Sequence, residues 1–330
     1  MSKYLPPYTI SDKMIGLVSS ISEKIGNVTS HRTLDSKPQL RKNNRILSVH
    51  SSLKIEANSL SLDEVRDVIN GRIVLGNMKE IQEVKNAYNA YEKISEIDPS
   101  SMDDIKRFHG IMTYRTVEES GQFRKGNEGV FSGDKCIFVC PPPEMVNSLM
   151  VDLLDWVKES DGKINPLIVA AVFHYEFVFI HPFSDGNGRM ARLWHTAILY
   201  KWRNIFEYIP LESQIEKYQE EYYEAIAVSN KNGNSDFFIE FVLELIDQVL
   251  DEVIVQINVS DAGISKYVSK LLSNMEYDVP YTANELLQKL GLKSKETLRK
   301  NYIDPAIEQE LIKMTIPEKP RSKNQRYVRK

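Results

Sequence analysis

Within twelve residues the chain places a base, a carboxylate, two glycines and two arginines: His181-Pro182-Phe183-Ser184-Asp185-Gly186-Asn187-Gly188-Arg189-Met190-Ala191-Arg192. Two glycines around an asparagine let the backbone turn tightly with its N–H groups converging, and a helix starting there adds its positive end, which makes an anion nest suited to phosphate. Arg189 and Arg192, three apart in the first helical turn, would point to one side and offer fixed forks for two further phosphates. Asp185 supplies a hard oxygen beside them, where magnesium takes one or two carboxylates together with phosphate oxygens and water. His181, with an ordinary pKa of about 6.5, suits a general base that takes the proton of an attacking hydroxyl. Each feature alone has a plain structural explanation: a histidine before proline, a lone G-x-G, two arginines on a solvated helix face. Their order within one short stretch points instead to a triphosphate held beside a base.

The elements that must carry this stretch are helical. Ile81, Val84, Ala87, Ala90 and Ile94 recur every three or four residues, as do Ile164, Leu167, Ala171 and Phe173, so the body is predicted to be mainly α. The exception lies between Gly121 and Pro143, where the short apolar runs Val130-Phe131 and Ile137-Phe138-Val139 flank a Gly133-Asp134 turn and predict a β-hairpin closed by prolines. A break is expected near Ile257, where Asn258-Val259-Ser260-Asp261-Ala262-Gly263 interrupts a long amphipathic helix.

Bulk properties narrow the class. A chain of 330 residues, 42% of them hydrophobic, can bury a large domain and a smaller one. Cys136 and Cys140 have no partners elsewhere for a disulfide framework or a four-ligand zinc site, which fits a reducing compartment. The start has no apolar signal core, and the longest apolar stretch, Pro166 to Ile180, is too short and too interrupted to span a membrane, so a cytoplasmic protein is expected. Residues 262–330 hold 14 Lys and Arg against 8 Asp and Glu, a net of +6, while residues 1–261 hold 28 against 38, a net of −10. A basic tail on an acidic body suggests two modules with different partners.

His181 to Arg192 resembles the signature of the Fic family, H-P-F-x-[DE]-G-N-G-R-x-x-R, with every specified position matched. The resemblance extends from Tyr4-Leu5-Pro6-Pro7 to about residue 250. It implies a helical Fic fold that, with magnesium at Asp185, transfers AMP from ATP to a Ser, Thr or Tyr hydroxyl of a target protein. On that basis His181 is the base, Gly186, Asn187 and Gly188 hold the α-phosphate, Arg189 and Arg192 hold the β- and γ-phosphates, and Phe183 anchors the loop in the core. The hairpin at 130–143 resembles the flap on which a target segment adds as a strand, with Ser132 and Gly133 nearest the nucleotide. Tyr222, Tyr223 and Asn230 resemble positions around the adenine, although Tyr218, Tyr222 and Tyr223 equally fit a core stripe on an amphipathic helix.

Ser52-Leu53-Lys54-Ile55-Glu56 resembles the family's inhibitory motif, [ST]-x-x-x-E-[GN], in which Glu56 would pair with Arg192 and keep the γ-phosphate from docking. Ala57 departs from it, where glycine or asparagine is usual, and Asn58 follows. The same glutamate could help water attack a protein-bound AMP, so removal of AMP stays open as the direction, and UTP or GTP stay open as donors.

Residues 264–330 read as helix (Ser265 to Met275), helix (Ala283 to Leu290), turn at Gly291, helix (Ser294 to Leu311) and a basic hairpin, the plan of a winged helix. Lys293, Lys295, Arg299 and Lys300 on the third helix, with Lys319, Arg321, Lys323 and Arg326 on the wing, make a DNA phosphate footprint feasible, and a protein partner equally so. The expected division is an N-terminal helical region with the inhibitory motif (1–75), a catalytic domain (76–258) and a winged-helix-like domain (264–330). A second copy of the chain is a further partner left open. The alternative function is a DNA-binding regulator whose Fic body only senses a ligand, which an intact His181 argues against.

Overall fold

The computed structural model describes residues 4–30, 38–132, 135–261, 265–275, 279–320 and 322–329, with side chains omitted at 27–30, 38–40, 130–132, 135–137 and 256–261. The chain divides into two compact units, one of residues 1–25 with 45–250 and one of 26–44 with 251–330. Three helices run through the divisions: α1 (Asp12–Ser30), α2 (Pro38–Ile55) and α11 (Asp236–Asp261).

In the larger unit follow α3 (Leu62–Ile69), α4 (Met78–Glu92), α5 (Met102–Met112), the strands β1 (Gly129–Ser132) and β2 (Lys135–Val139), then α6 (Pro143–Ser160), α7 (Pro166–Ile180), α8 (Asn187–Trp202), α9 (Leu211–Lys217) and α10 (Gln219–Asn232). Local chemistry starts several of them. Ser61 and Glu64 form a capping box on α3, and the side chains of Asn77, Ser101 and Asn165 cap α4, α5 and α7.

The core is built around α7, which is apolar on all sides and buried along nearly its whole length, as a helix without a polar face must be. It packs against α8 and α6. Trp194 on α8 closes the contact, with its ring beside Phe173 and Phe108 and its indole N–H donated to Pro99 O at 3.0 Å. Truncating such a ring would cost about 3–5 kcal/mol. The expected mainly helical fold is observed, with the hairpin as its β element. β1 and β2 pair antiparallel with an irregularity between Val130 and Phe131; Gly133 and Asp134, the expected turn, lie outside the described residues.

The smaller unit continues with α12 (Lys266–Leu272), β3 (Pro280–Thr282), α13 (Ala283–Leu290), α14 (Lys295–Leu298), α15 (Asp304–Glu308), β4 (Ile312–Met314) and β5 (Arg326–Arg329). Its strands form one antiparallel sheet in the order β3-β5-β4, over a core that includes Val268, Leu271, Leu286, Leu298, Tyr302 and Ile312. Several expectations need correction. α11 continues through Asn258, Val259 and Ser260 and ends at Asp261, within the stretch expected to break it. The helix expected over Ser294 to Leu311 is interrupted by a π-turn at Arg299–Ile303, just before Pro305, and ends at Glu308. β3, only three residues long and opening on a proline, had no alternation to reveal it.

One buried acid inside α7 makes the fold sensitive to pH. Glu176 Oε2 accepts from the Tyr4 hydroxyl at 3.0 Å, whereas Oε1 has no partner among the described residues. Burial pushes its pKa up to about 7, from 4.5 when exposed. Between those values the folded chain keeps a proton that the unfolded chain has released, so stability falls as pH rises through this window. Glu176→Gln should therefore stabilise the protein at pH 8 by a few kcal/mol, ~3 at most, and much less at pH 4.5. Equal gains at both pH values in urea unfolding would refute this origin.

Candidate active site

The loop between α7 and α8 carries the twelve-residue segment, and its first residue is strained. Pro182 drives the residue before it out of the right-handed helical region, and His181 ends α7 in the left-handed one, with φ 52° and ψ 61°. Such a conformation costs a histidine about 1–2 kcal/mol and persists only where surroundings enforce it. The His181 N–H still bonds Phe177 O at 2.9 Å, and ring Nδ1 lies 3.3 Å from Val178 O. That contact makes Nδ1 the protonated nitrogen and leaves Nε2 its lone pair. Burial pushes the His181 pKa below its ordinary value; Val178 opposes, Arg124 adds to the shift, and Glu56 and Asp185 oppose. The imidazole is neutral at pH 7.

Two residues outside the segment enforce this geometry. Phe183 is fully buried and stacks on the His109 ring with centroids 3.6 Å apart. His109 Nδ1 accepts from Gly121 N at 2.9 Å, so Nε2 carries the proton and donates to Asp185 O at 2.9 Å. Burial lowers its pKa to about 4, against the Asp185 carbonyl and with Arg189, so it stays neutral. Arg124 donates to His181 O (2.7 Å), Ile180 O (3.3 Å), Gly126 O (2.8 Å) and Pro141 O (2.5 Å). One guanidinium thus satisfies the last carbonyls of α7 and ties them to both ends of the hairpin segment.

Gly186 caps α8 with φ 82°, a conformation open to glycine. The following amides, in the first turn of α8, have no intrahelical acceptor. The side chain of Asn187 is not free for a phosphate: its Oδ1 accepts from Phe183 N at 2.9 Å and its Nδ2 donates to Phe183 O at 2.8 Å, closing the loop. Only its backbone N–H can face an anion. Asp185 Oδ1 accepts from Gly186 N at 2.5 Å and from Arg189 at 3.0 Å. No group of three or more His, Cys, Asp or Glu that could hold a metal exists among the described residues, so a metal here would need oxygens from a ligand and water.

Both arginines are buried and already paired with carboxylates. Arg189 meets Asp185 at 3.0 Å and Glu83 at 3.7 Å. Arg192 donates from Nε to Ser52 Oγ (3.1 Å) and from one terminal nitrogen to Ser52 O (2.9 Å) and Glu56 Oε1 (2.8 Å). The Glu56 carboxylate lies against Gly188, where any Cβ would collide with it. The structure therefore brings Ser52, Glu56, Gly188 and Arg192 together, although 136 residues separate the two ends of the ion pair.

Glu56 sits in the turn that ends α2. Ala57 N bonds Lys54 O at 3.0 Å and Asn58 N bonds Leu53 O at 3.1 Å, the paired bonds of a Schellman C-cap. This motif puts Ala57 at φ 63°, which explains physically why glycine or asparagine would suit the position. α10 lies against the same turn: Gln219 Nε2 and the Tyr223 hydroxyl both donate to Ile55 O, at 3.1 and 3.4 Å. The tyrosine stripe divides, with Tyr222 in the core against His174 (2.9 Å), Tyr223 half-exposed and Tyr218 partly buried. Asn230 Oδ1 accepts from the Tyr175 hydroxyl at 2.8 Å. Gly133 and the side chain of Ser132 lie outside the described residues.

Comparison with known proteins fits this geometry. The Fic/DOC family matches residues 99–199, and the C-terminal domain of Filamentation induced by cAMP protein Fic-like matches residues 266–328. A crystal structure of a Fic family protein from Desulfovibrio desulfuricans G20 is 40% identical, with 99% of this chain and 98% of that one covered and a TM-score of 0.75. The chain belongs to the Fic family. Fic-1 from Caenorhabditis elegans is 25% identical as a structure, over 75% of this chain and 73% of that one, with a TM-score of 0.62. By sequence, protein adenylyltransferase fic-1 of Caenorhabditis elegans is 29% identical over 231 residues, 67% of this chain but only 43% of that protein's length. Within this Fic chain, Ala57→Gly should relieve the left-handed strain and stabilise the fold by about 1 kcal/mol. An unchanged or lower denaturation midpoint would contradict the strain at Ala57.

Proposed function

We propose that the chain is a protein adenylyltransferase that moves AMP from ATP to a Ser, Thr or Tyr hydroxyl of a target protein and is held off by Glu56. The observation that carries this reading is the Nε2 of a neutral His181, without a hydrogen-bond partner among the described residues, on the loop that leads into the N-terminus of α8. The name of the nematode relative points to the same chemistry. In the step, the target oxygen attacks the α-phosphorus, its proton goes to His181 Nε2, and the bond to the bridging oxygen of pyrophosphate breaks. First-turn amides of α8 bind the α-phosphate, and Arg189 and Arg192 hold the β- and γ-phosphates once their carboxylates yield. Magnesium, where bound, would neutralise phosphate charge at Asp185, whose partly exposed carboxylate suits one oxygen of such a site.

The target segment docks on the hairpin at 130–143, which pairs only with itself among the described strands and so offers an edge for strand addition. Tyr223 and Asn230 border the adenine end. The buried Cys140 side chain, which forms no disulfide among the described residues, fits a cytoplasmic setting. The smaller unit is read as a winged helix. Arg299, Lys319, Pro320 and Ser322 line a cavity of about 520 Å³ on it, which favours an anionic partner such as a nucleic-acid backbone over an apolar protein surface.

Glu56→Gly incubated with ATP and magnesium should gain the mass of one AMP, and Glu56→Gly/His181→Ala should gain none; equal labelling of both would remove His181 as the base. Because burial lowers the His181 pKa, the rate of Glu56→Gly should hold level from pH 8 to 7 and fall only below 6.5. An inflection above pH 7 would contradict a neutral base. The full chain should shift a DNA duplex at low salt and release it as salt rises; no shift at low salt would assign the smaller unit to a protein partner.

A further inference from the structure

Glu56 is not the only carboxylate that occupies a phosphate-binding arginine. Glu83, on α4, lies outside both the twelve-residue segment and the inhibitory motif in the sequence, and its side chain is mostly buried. One of its oxygens, Oε1, stands 3.7 Å from Arg189, and the other, Oε2, accepts from Asn58 Nδ2 at 3.0 Å. Arg189 itself is buried, has Asp185 on one terminal nitrogen and Glu83 near the other, and leaves Nε without a partner among the described residues. Two carboxylates around one guanidinium leave a local excess of negative charge, which opposes an incoming phosphate. Asp185 is nearly half-exposed and able to swing away. Glu83 is not, because Asn58 pins it.

Asn58 is in turn fixed by the turn that carries Glu56. Its N–H closes the C-cap on Leu53 O, its Oδ1 accepts from Leu60 N at 3.2 Å, and its Nδ2 also reaches Glu80 O at 3.4 Å. Any loosening of this turn that withdraws Glu56 from Arg192 also removes the bond that holds Glu83 in place. We propose that Glu83 is a second brake, a positioning residue that occupies Arg189 as Glu56 occupies Arg192 and is coupled to it through Asn58. The inference rests on the nucleotide reading above and extends it: the two arginines are released together.

The test is calorimetric binding of magnesium-ATP and of AMP to the full-length chain as parent, Glu56→Gly, Glu83→Gln, Asn58→Ala and Glu56→Gly/Glu83→Gln. Gln keeps the shape and the acceptor for Asn58 and removes only the charge. Glu83→Gln should bind ATP roughly three- to tenfold more tightly than the parent, the size of one charge interaction near a surface. AMP, which lacks the β- and γ-phosphates, should bind both equally, whereas a merely loosened fold would alter both ligands. Asn58→Ala should shift ATP binding in the same direction, and the double variant should gain less than the product of the two single gains. ATP binding by Glu83→Gln equal to or weaker than the parent, with Glu56→Gly binding ATP well, would overturn the second brake alone, and strictly multiplicative gains would overturn the coupling. No ATP binding by any variant, Glu56→Gly included, would overturn the nucleotide reading itself.

Discussion

A positive charge inside the protein must be matched, and Arg192 is that charge. Its side chain is only 1% exposed, and a cation taken out of water without a partner costs several kcal/mol or more. Burial disfavours the charged guanidinium, yet the Glu56 carboxylate against it outweighs this and holds the proton more firmly than in water. The arginine therefore always needs an anion. In the structure that anion is Glu56, and a γ-phosphate would satisfy the same need, so the two compete for one place. On the proposed reading, inhibition of this kind requires no separate regulatory site: a phosphate site on a buried arginine needs only a carboxylate of the same chain within reach.

Around this pair the supporting groups act chiefly by fixing geometry. His109 is neutral and ties the stacked Phe183 to the Asp185 carbonyl, while Asn187 spends its whole side chain on the Phe183 backbone. Arg124, the one cation among them, meets carbonyl oxygens alone in the hydrogen bonds named above. Its effect is geometric, since it binds the end of α7 and the hairpin ends with one planar group. The left-handed His181 and the ends of the hairpin segment are thereby held by a shared set of bonds. Disturbing the hairpin ends would be felt at His181.

How much of this could be read from the chain follows from distance along it. The tight turn was legible in Gly186 and Gly188 and the apolar helix in the run from Pro166 to Ile180, because each depends on neighbours, whereas the left-handed conformation of His181 has no such signal. The fold class rests on such local periodicity and was legible. Arg124, His109 and Glu83 carry no local pattern: each is an ordinary residue on or near a helix, brought to the loop by tertiary packing of α4, α5 and the 121–126 segment. A single histidine or glutamate with helical spacing has no signature until the surface it faces is known. The loop-closing bonds of the Asn187 side chain have the same origin, since whether an amide bonds a ligand or its own loop depends on backbone direction.

The ion pair is also uneven, and that decides which partner moves. Glu56 is 38% exposed and stands at the last turn of a helix, whereas Arg192 is enclosed by Ser52 and by the packed α7–α8 contact. Opening the pair by moving the arginine would disrupt the core; opening it by unwinding one C-cap exposes a few residues. That C-cap is already weakened by an alanine in a left-handed conformation, which lowers the cost of release by about 1 kcal/mol relative to glycine. The hydrogen bonds from Gln219 and Tyr223 to Ile55 O act in the opposite sense and hold the turn to α10. Since Tyr223 also borders the proposed adenine end, a base bound there would compete for the tyrosine that steadies the inhibitory turn. Nucleotide entry would then act on the brake from two sides, by charge at Arg192 and by contact at Tyr223.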